Sequence, residues 1–142
     1  MPELRKDPIV ERWVIISTER WKRPSDFKSS PELPGRASIC PFCPGSEHLT
    51  PSEVLAYRPE PGRLDAPGWT LRVVPNKFPA LQIEGKLNRE GVGMFDKMNG
   101  IGAHEVIIET PDHKALFSTM SEKSQKDIFW AFRDRILDLR KD

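Results

Sequence analysis

Residues 40–48 read Cys-Pro-Phe-Cys-Pro-Gly-Ser-Glu-His, and the rest of the chain is best interpreted outward from this stretch. Cys40 and Cys43 are the two cysteines of the sequence. Two cysteines at this spacing, in a turn that contains proline and glycine, match a zinc knuckle, whose tight turn points both sulfurs at one metal ion. The alternative is a redox-active pair, which expects a following helix rather than a Pro-Gly turn. The stretch therefore favours a metal site.

A closed site of this kind needs four ligands, and histidine is the natural partner of a cysteine pair. The sequence contains three histidines, His48, His104 and His113. Spacing alone leaves all three open as candidates for a Cys2His2 site. His113 follows a predicted strand, where a ligand is well held, whereas His104 lies at the start of that strand.

Composition and charge exclude several classes of protein. The chain of 142 residues is 37% hydrophobic and 30% charged, which is typical of one soluble globular domain. No apolar run approaches the ~20 residues that cross a bilayer, and the N-terminus lacks the apolar core of a signal peptide. We therefore predict a cytoplasmic protein with no membrane partner. A net charge of +1 argues against nucleic acid as a partner.

Hydrophobic patterning predicts the secondary structure. Aromatic and β-branched residues predict strands near residues 12–17, 71–74 and 105–109. Residues 84–100 carry four glycines with little periodicity and are predicted to be a mobile excursion.

A C-terminal helix is predicted from about residue 121 to residue 140, with Ser121 as its N-cap. Apolar residues recur along it at helical spacing and are predicted to pack against the core: Ile128, Phe129, Phe132, Ile136 and Leu139.

Two further segments have the side chains that a nucleotide would need. Residues 20–23 place three cations before a proline and could clamp a phosphate. Residues 76–78 place an amide, a cation and an aromatic ring side by side, a set that could hold a base and its phosphates. The alternatives are a solvated turn for the first segment and a plain turn with a core phenylalanine for the second, and composition alone favours these alternatives.

Five motifs occur in a specific order along the chain: Arg-Lys-Asp-Pro with Trp-Val-Ile-Ile-Ser, Glu-Arg-Trp-Lys-Arg-Pro, Cys-Pro-Phe-Cys-Pro-Gly, Val-Val-Pro-Asn-Lys-Phe-Pro-Ala-Leu and Glu-Val-Ile-Ile-Glu-Thr-Pro-Asp-His. Together they resemble the N-terminal half of the galactose-1-phosphate uridylyltransferase family, a branch of the histidine-triad superfamily. The resemblance runs from Leu4 to the closing helix. The opening Pro-Glu-Leu-Arg-Lys-Asp-Pro is also similar to related adenylyl-transferring enzymes that act on ADP-glucose.

The resemblance implies an α+β, histidine-triad-like fold over residues 1–142. In it, a mostly antiparallel sheet from the three predicted strands packs against the C-terminal helix, with a zinc knuckle. It also implies a two-step nucleotidyl transfer in galactose metabolism. A histidine attacks the α-phosphorus of UDP-glucose, glucose 1-phosphate leaves, and galactose 1-phosphate then takes the uridylyl group. The implied partners are a nucleotide sugar (UDP-glucose or ADP-glucose) and a hexose 1-phosphate.

Site residues follow from the resemblance motif by motif. It implies that structural Zn²⁺ is bound by Cys40, Cys43 and His113. It also implies a nucleotide pocket formed by Arg20, Lys22, Arg23, Leu49, Asn76, Lys77 and Phe78.

One departure from the family pattern changes what the chain is expected to do. The family's nucleophile lies in a His-Pro-His motif, whose first histidine is also the fourth zinc ligand, and this sequence contains no His-Pro-His. We therefore assign no catalytic residue and predict no turnover by the chain alone. We expect a homodimer or association with a C-terminal half. The alternative functions are an adenylyl transfer from ADP-glucose, a non-catalytic zinc-binding interaction module and, disfavoured by the charge, a nucleic-acid-binding zinc knuckle.

Overall fold

A computed structural model describes residues 1–17 and 39–141. The elements in these ranges are β1 (Glu3–Lys6), β2 (Trp13–Ile16), β3 (Leu55–Tyr57), β4 (Leu71–Pro75), β5 (Glu90–Val92), β6 (Phe95–Asn99), β7 (Glu105–Ile108) and α1 (Glu122–Leu139). Short 3-10 turns occur at Glu47–Leu49 and Phe117–Thr119. Contacts divide the chain into two compact units, one with the described residues 1–17 and 78–104 and the other with 39–77 and 105–141. Across the described ranges, no helix has the length and apolar character to span a membrane.

The first unit contains a four-stranded antiparallel sheet in the order β2-β1-β6-β5. The Asp7 carboxylate accepts hydrogen bonds from the amides of Ile9 and Val10, at 2.8 and 3.1 Å, and so closes the turn between β1 and β2. At the other end of the sheet, β5 and β6 form a hairpin in which Gly91 faces Asp96.

The second unit contains a three-stranded antiparallel sheet in the order β3-β4-β7. Side chains alternate between the two faces of its central strand, β4. Both faces of this strand are buried. Leu71 and Val73 pack with the helix residues Ile128 and Ala131. Val74 packs on the other side with Trp69 and Ile108. The core of this unit is therefore built around one strand.

The helix α1 begins where the sequence predicts, because the Ser121 hydroxyl accepts a hydrogen bond from the Ser124 amide at 3.2 Å. The prediction that five apolar residues of this helix pack against the core is correct for Ile128 and wrong for the others. The other four members are exposed: Phe129 64%, Phe132 44%, Ile136 50% and Leu139 36%.

The reason is that α1 turns a different face to the sheet. Ile128 and Ala131 are buried, and Arg135 reaches back to pair with Glu105 on β7 at 2.6 Å. At about 100° per residue, this face is rotated away from the most apolar side of the helix.

The α+β class and the mostly antiparallel pairing are confirmed, and each of the three predicted strands is present. The expectation that these strands share one sheet is wrong, because β2 belongs to the first unit whereas β4 and β7 belong to the second. Residues 84–100, predicted to be a mobile excursion, contain regular strands, and the mobility of this segment stays a prediction. Its glycines lie in and around a regular hairpin of β5 and β6.

Candidate functional site

The cysteine pair lies in a tight turn whose backbone is closed by its own hydrogen bonds. The Cys43 amide donates to the Cys40 carbonyl at 3.3 Å, and the Ser46 amide donates to the Cys43 carbonyl at 3.1 Å. Gly45 has φ +90°, a conformation that side-chain-bearing residues rarely adopt. The turn that the sequence predicts from proline and glycine is therefore formed, with both cysteines half-buried.

His113 reaches the same place from the far end of β7. After this strand, the Thr110 hydroxyl accepts from the Asp112 amide at 3.1 Å, and the Asp112 carboxylate accepts from the Lys114 amide at 2.9 Å. These bonds hold a turn with His113 at its tip. The Cys43 Sγ atom lies 3.3 Å from the His113 Nδ1 atom.

The donor atoms of Cys40, Cys43 and His113 all lie within 4.8 Å of one another, close enough to share one metal ion. Two thiols and an imidazole suit a soft or borderline metal better than magnesium or calcium. Burial, followed by the hydrogen bond with Cys40, raises the pKa of the Cys43 thiol. Metal binding would therefore release a proton from this thiol.

The structure also distinguishes between the three histidines that were candidates for the metal site. His48 is exposed in the 3-10 turn at Glu47–Leu49. His104 accepts a hydrogen bond from the Ala80 amide at its Nδ1 atom, at 3.0 Å. Of the three, His113 is the one that joins the cysteines.

A cavity of about 340 Å³ lies beside the three donors. Its apolar wall includes Phe42, Ile107, Phe117 and Met120, and the carboxylate residue Glu109 also lines it. The donors therefore lie at the edge of a space that another group can enter.

A buried carboxylate that the sequence analysis missed follows the cysteine turn along the chain. Glu47 is 5% exposed, and its two oxygens accept from the Gly45 amide at 2.8 Å and from Trp69 Nε1 at 2.9 Å. Burial alone would raise the pKa of Glu47. The hydrogen bonds from Trp69 and from backbone amides, with the positive charge of Arg72, outweigh burial, so the pKa lies below its ordinary value.

A second missed group surrounds Arg72 on β4. Its guanidinium donates to Glu53 at 2.7 Å, to Asp65 at 2.6 Å and to the Thr50 hydroxyl at 2.8 Å. Arg58 pairs with the same Glu53 carboxylate at 2.8 Å. A signal was present in the sequence, because an arginine at the centre of an otherwise apolar strand requires buried partners.

The predicted nucleotide-binding residues differ in their exposure and in the unit to which they belong. Leu49 is 37% exposed at the end of the 3-10 turn. Asn76 and Lys77 directly follow β4, half-buried and exposed respectively, and Phe78 is half-buried in the first unit. Arg20, Lys22 and Arg23 lie outside the described residues. The nucleotide pocket therefore stays a prediction.

Sequence comparison identifies relatives that cover nearly all of this chain. An ADP-glucose phosphorylase of Arabidopsis thaliana is 40% identical over 139 residues, which are 95% of this chain and 38% of that protein. A galactose-1-phosphate uridylyltransferase of Thermotoga maritima is 29% identical over 140 residues, 98% of this chain and 36% of that protein. The chain thus spans less than two fifths of the length of these two relatives.

Solved structures show the same relationship. The crystal structure of the Arabidopsis thaliana ADP-glucose phosphorylase with bound ADP-glucose matches with a TM-score of 0.57 and 35% identity. The match covers 100% of this chain and 39% of that one. A uridylyltransferase structure matches with a TM-score of 0.62 over 98% of this chain and 35% of that one, and at 24% identity it supports the fold alone.

A family model also matches the full length of the given sequence. The model for the galactose-1-phosphate uridyl transferase N-terminal domain matches residues 1–142. The order of motifs, the α+β architecture and the relatives agree with this match. The chain therefore belongs to the galactose-1-phosphate uridyl transferase family, as a member of its N-terminal domain.

Proposed function

We propose that this chain is the metal- and nucleotide-binding N-terminal part of a nucleotidyltransferase that exchanges hexose 1-phosphates on a nucleotide sugar. The observation that carries the proposal is the convergence of Cys40, Cys43 and His113 within 4.8 Å, in a chain that matches the family's N-terminal domain over residues 1–142. A cysteine pair in a metal group also suits a reducing compartment, in agreement with a cytoplasmic protein.

The metal in this proposal is Zn²⁺, because two thiolates and an imidazole are typical zinc ligands. When bound, zinc would crosslink the cysteine turn to the segment that follows β7, and its role would be structural. The cavity beside the donors leaves room for a fourth ligand from outside the described residues.

The reaction is a nucleotidyl transfer in two displacements. A histidine attacks the α-phosphorus, and the hexose 1-phosphate leaves. The phosphate group of an acceptor then attacks the same phosphorus, takes the nucleotidyl group and frees the histidine. This sequence contains no His-Pro-His motif, so the nucleophile is proposed to come from outside the chain. The proposed role of this chain is to bind the nucleotide through Arg20, Lys22, Arg23, Leu49, Asn76, Lys77 and Phe78, with cations that offset phosphate charge.

Two nucleotide sugars are candidates for the ligand of this chain, and different observations support each of them. The order of motifs favours UDP-glucose with galactose 1-phosphate as the acceptor. The higher identity to an ADP-glucose phosphorylase, 40% against 29% for a uridylyltransferase, favours ADP-glucose. We take ADP-glucose as the first ligand to test and UDP-glucose as the matched comparison.

The test is to titrate the zinc-loaded 142-residue chain with ADP-glucose and UDP-glucose while following tryptophan fluorescence, and to measure product release in parallel. We expect weak binding of one nucleotide sugar and no turnover by the chain alone. Lys77→Ala removes an exposed cation from the proposed pocket and should weaken binding about tenfold. The control is Lys126→Ala, because Lys126 is an exposed lysine that pairs with Glu122 on α1.

Binding of neither nucleotide sugar by a folded, zinc-loaded chain would contradict the nucleotide-binding part of the proposal and would favour an interaction module. Equal weakening by the two lysine variants would contradict the placement of Lys77 in the pocket.

A further inference from the structure

We infer that Glu47 is a positioning residue for the metal site: its buried carboxylate holds the Cys40–Cys43 turn against the buried Trp69 side chain, in the conformation that points both thiols toward His113. The inference rests on the proposed metal site and adds to it a residue that binds no metal itself.

The first contact acts within the turn. One carboxylate oxygen of Glu47 accepts from the Gly45 amide at 2.8 Å, two residues beyond Cys43. Gly45 has φ +90°, and the bond fixes the direction of its amide there. Because the Ser46 amide in turn donates to the Cys43 carbonyl, the backbone from Cys43 to Glu47 is closed by bonds at both ends.

The second contact ties the turn to the core. The other carboxylate oxygen of Glu47 accepts from Trp69 Nε1 at 2.9 Å. Trp69 is 3% exposed and packs with Val74 and Ile108. The tryptophan side chain is therefore held rigidly, and Glu47 connects the cysteine turn to it.

The same core also includes the strand that leads to His113, the third residue of the metal group. Ile108 is the last residue of β7, and Arg72 on β4 is its partner across the sheet. The segment that ends at His113 leaves the sheet at this point. Glu47 therefore fixes the cysteines to the strand pair from which the histidine extends, and the distance between the two thiols and the imidazole depends on this link.

A carboxylate is the group that these contacts require. Both neighbours are N–H donors, and a carboxylate only accepts. The amide of glutamine has the same shape, but it would turn an NH₂ group toward one of the two donors. Glu47→Gln should therefore break one contact and leave the side chain in place.

The test is a Co²⁺ titration of the chain, followed by the absorption bands of cobalt bound to thiolate, with Zn²⁺ affinity measured by chelator competition. We expect the parent chain to bind one ion tetrahedrally. Glu47→Gln should bind about 10- to 100-fold more weakly, the usual cost of losing a group that orients metal ligands, with altered cobalt bands. Trp69→Phe removes the second donor and should shift affinity in the same direction.

The matched control is Glu53→Gln. Glu53 is also a buried carboxylate in this unit, at 9% residue exposure, but its partners are Arg72 and Arg58. This variant should lose stability while keeping the affinity and the cobalt bands of the parent chain.

The outcomes separate this inference from the proposed site. A parent chain that binds no metal would overturn both. A parent chain that binds metal, together with Glu47→Gln and Trp69→Phe within twofold of it, would overturn the positioning role alone. Equal losses in Glu47→Gln and Glu53→Gln would also overturn it, because the effect would then be one of general stability.

Discussion

The Arg72 guanidinium and the Glu53 carboxylate form an ion pair inside the second unit, with Nε 2.7 Å from Oε2 and side chains only 1% and 3% exposed. Arg72 lies on the central strand β4, and Glu53 lies just before β3. The pair is completed by Asp65, Thr50 and Arg58. Through this network, the loop between β3 and β4 is attached to β4. The same loop contains Trp69, the residue that Glu47 of the cysteine turn contacts.

Breaking this pair should be costly because Arg72 is fully buried and, among the described residues, would keep only Asp65 as a carboxylate partner. Glu53→Ala is expected to lower the free energy of unfolding by about 3–5 kcal/mol, measured by urea denaturation. The control is Asp96→Ala, whose partner Arg89 is exposed, so its loss should stay below about 1 kcal/mol. Similar values for the two variants would contradict the burial of the network.

The two faces of α1 give a matched pair of isoleucine substitutions. Ile128 is 2% exposed and packs with Leu71 and Val73, whereas Ile136 is 50% exposed. Ile128→Ala should cost about 2–4 kcal/mol, and Ile136→Ala should stay near 0.5 kcal/mol or less. Thermal and urea unfolding of both variants would check this, and a larger loss for Ile136→Ala would mean that the helix buries its other face.

The exposed apolar face of α1 predicts association in solution. Phe129, Phe132 and Ile136 lie on one side of the helix, and Phe129 makes an edge-to-face contact with Phe117 at 6.1 Å between ring centroids. Apolar surface of this kind is unfavourable in water. We expect the apparent mass from light scattering to rise with concentration, and Phe129→Ser with Phe132→Ser to reduce this rise. A monodisperse parent monomer at all concentrations would contradict the expectation.

Glu47 also predicts how stability depends on pH. Its pKa is lower in the folded chain than its ordinary value of 4.5. Its contribution to stability is therefore fully present above about pH 4.5 and is lost as pH falls through the lowered folded value. The difference in free energy of unfolding between the parent chain and Glu47→Gln should be constant near neutral pH and should shrink below pH 4.5. A difference that grows on acidification would contradict the sign of the pKa shift.

The parts of the structure that depend on local pattern could be predicted from the sequence. The Ser121 cap, the strand at Leu71–Pro75 and the cysteine turn each follow from a few neighbouring residues. The hairpin of β5 and β6 could not be predicted in this way, because both strands are short and neither shows hydrophobic alternation. Its pairing with β1 is a long-range contact that local pattern does not encode.

The orientation of α1 shows a second limit. The strongest apolar stripe of the helix predicted its buried face, but the helix buries Ile128 and Ala131 and directs Arg135 to Glu105. Apolar spacing indicates that a helix has a face to bury and does not indicate what covers that face. At the site, spacing predicted the cysteine pair, whereas the choice of His113 among three histidines came from the family resemblance. The bond from Glu47 to Trp69 joins residues 22 positions apart and has no signature in local sequence.

The central claim is that Cys40, Cys43 and His113 form one metal site, and the most direct test is the zinc content of the purified chain with matched histidine variants. We predict one zinc ion per parent chain, loss of zinc from His113→Ala, and retention of zinc by His48→Ala, since His48 is exposed and outside the donor group. Equal zinc content in the parent chain and His113→Ala, or loss of zinc from His48→Ala instead, would contradict the account.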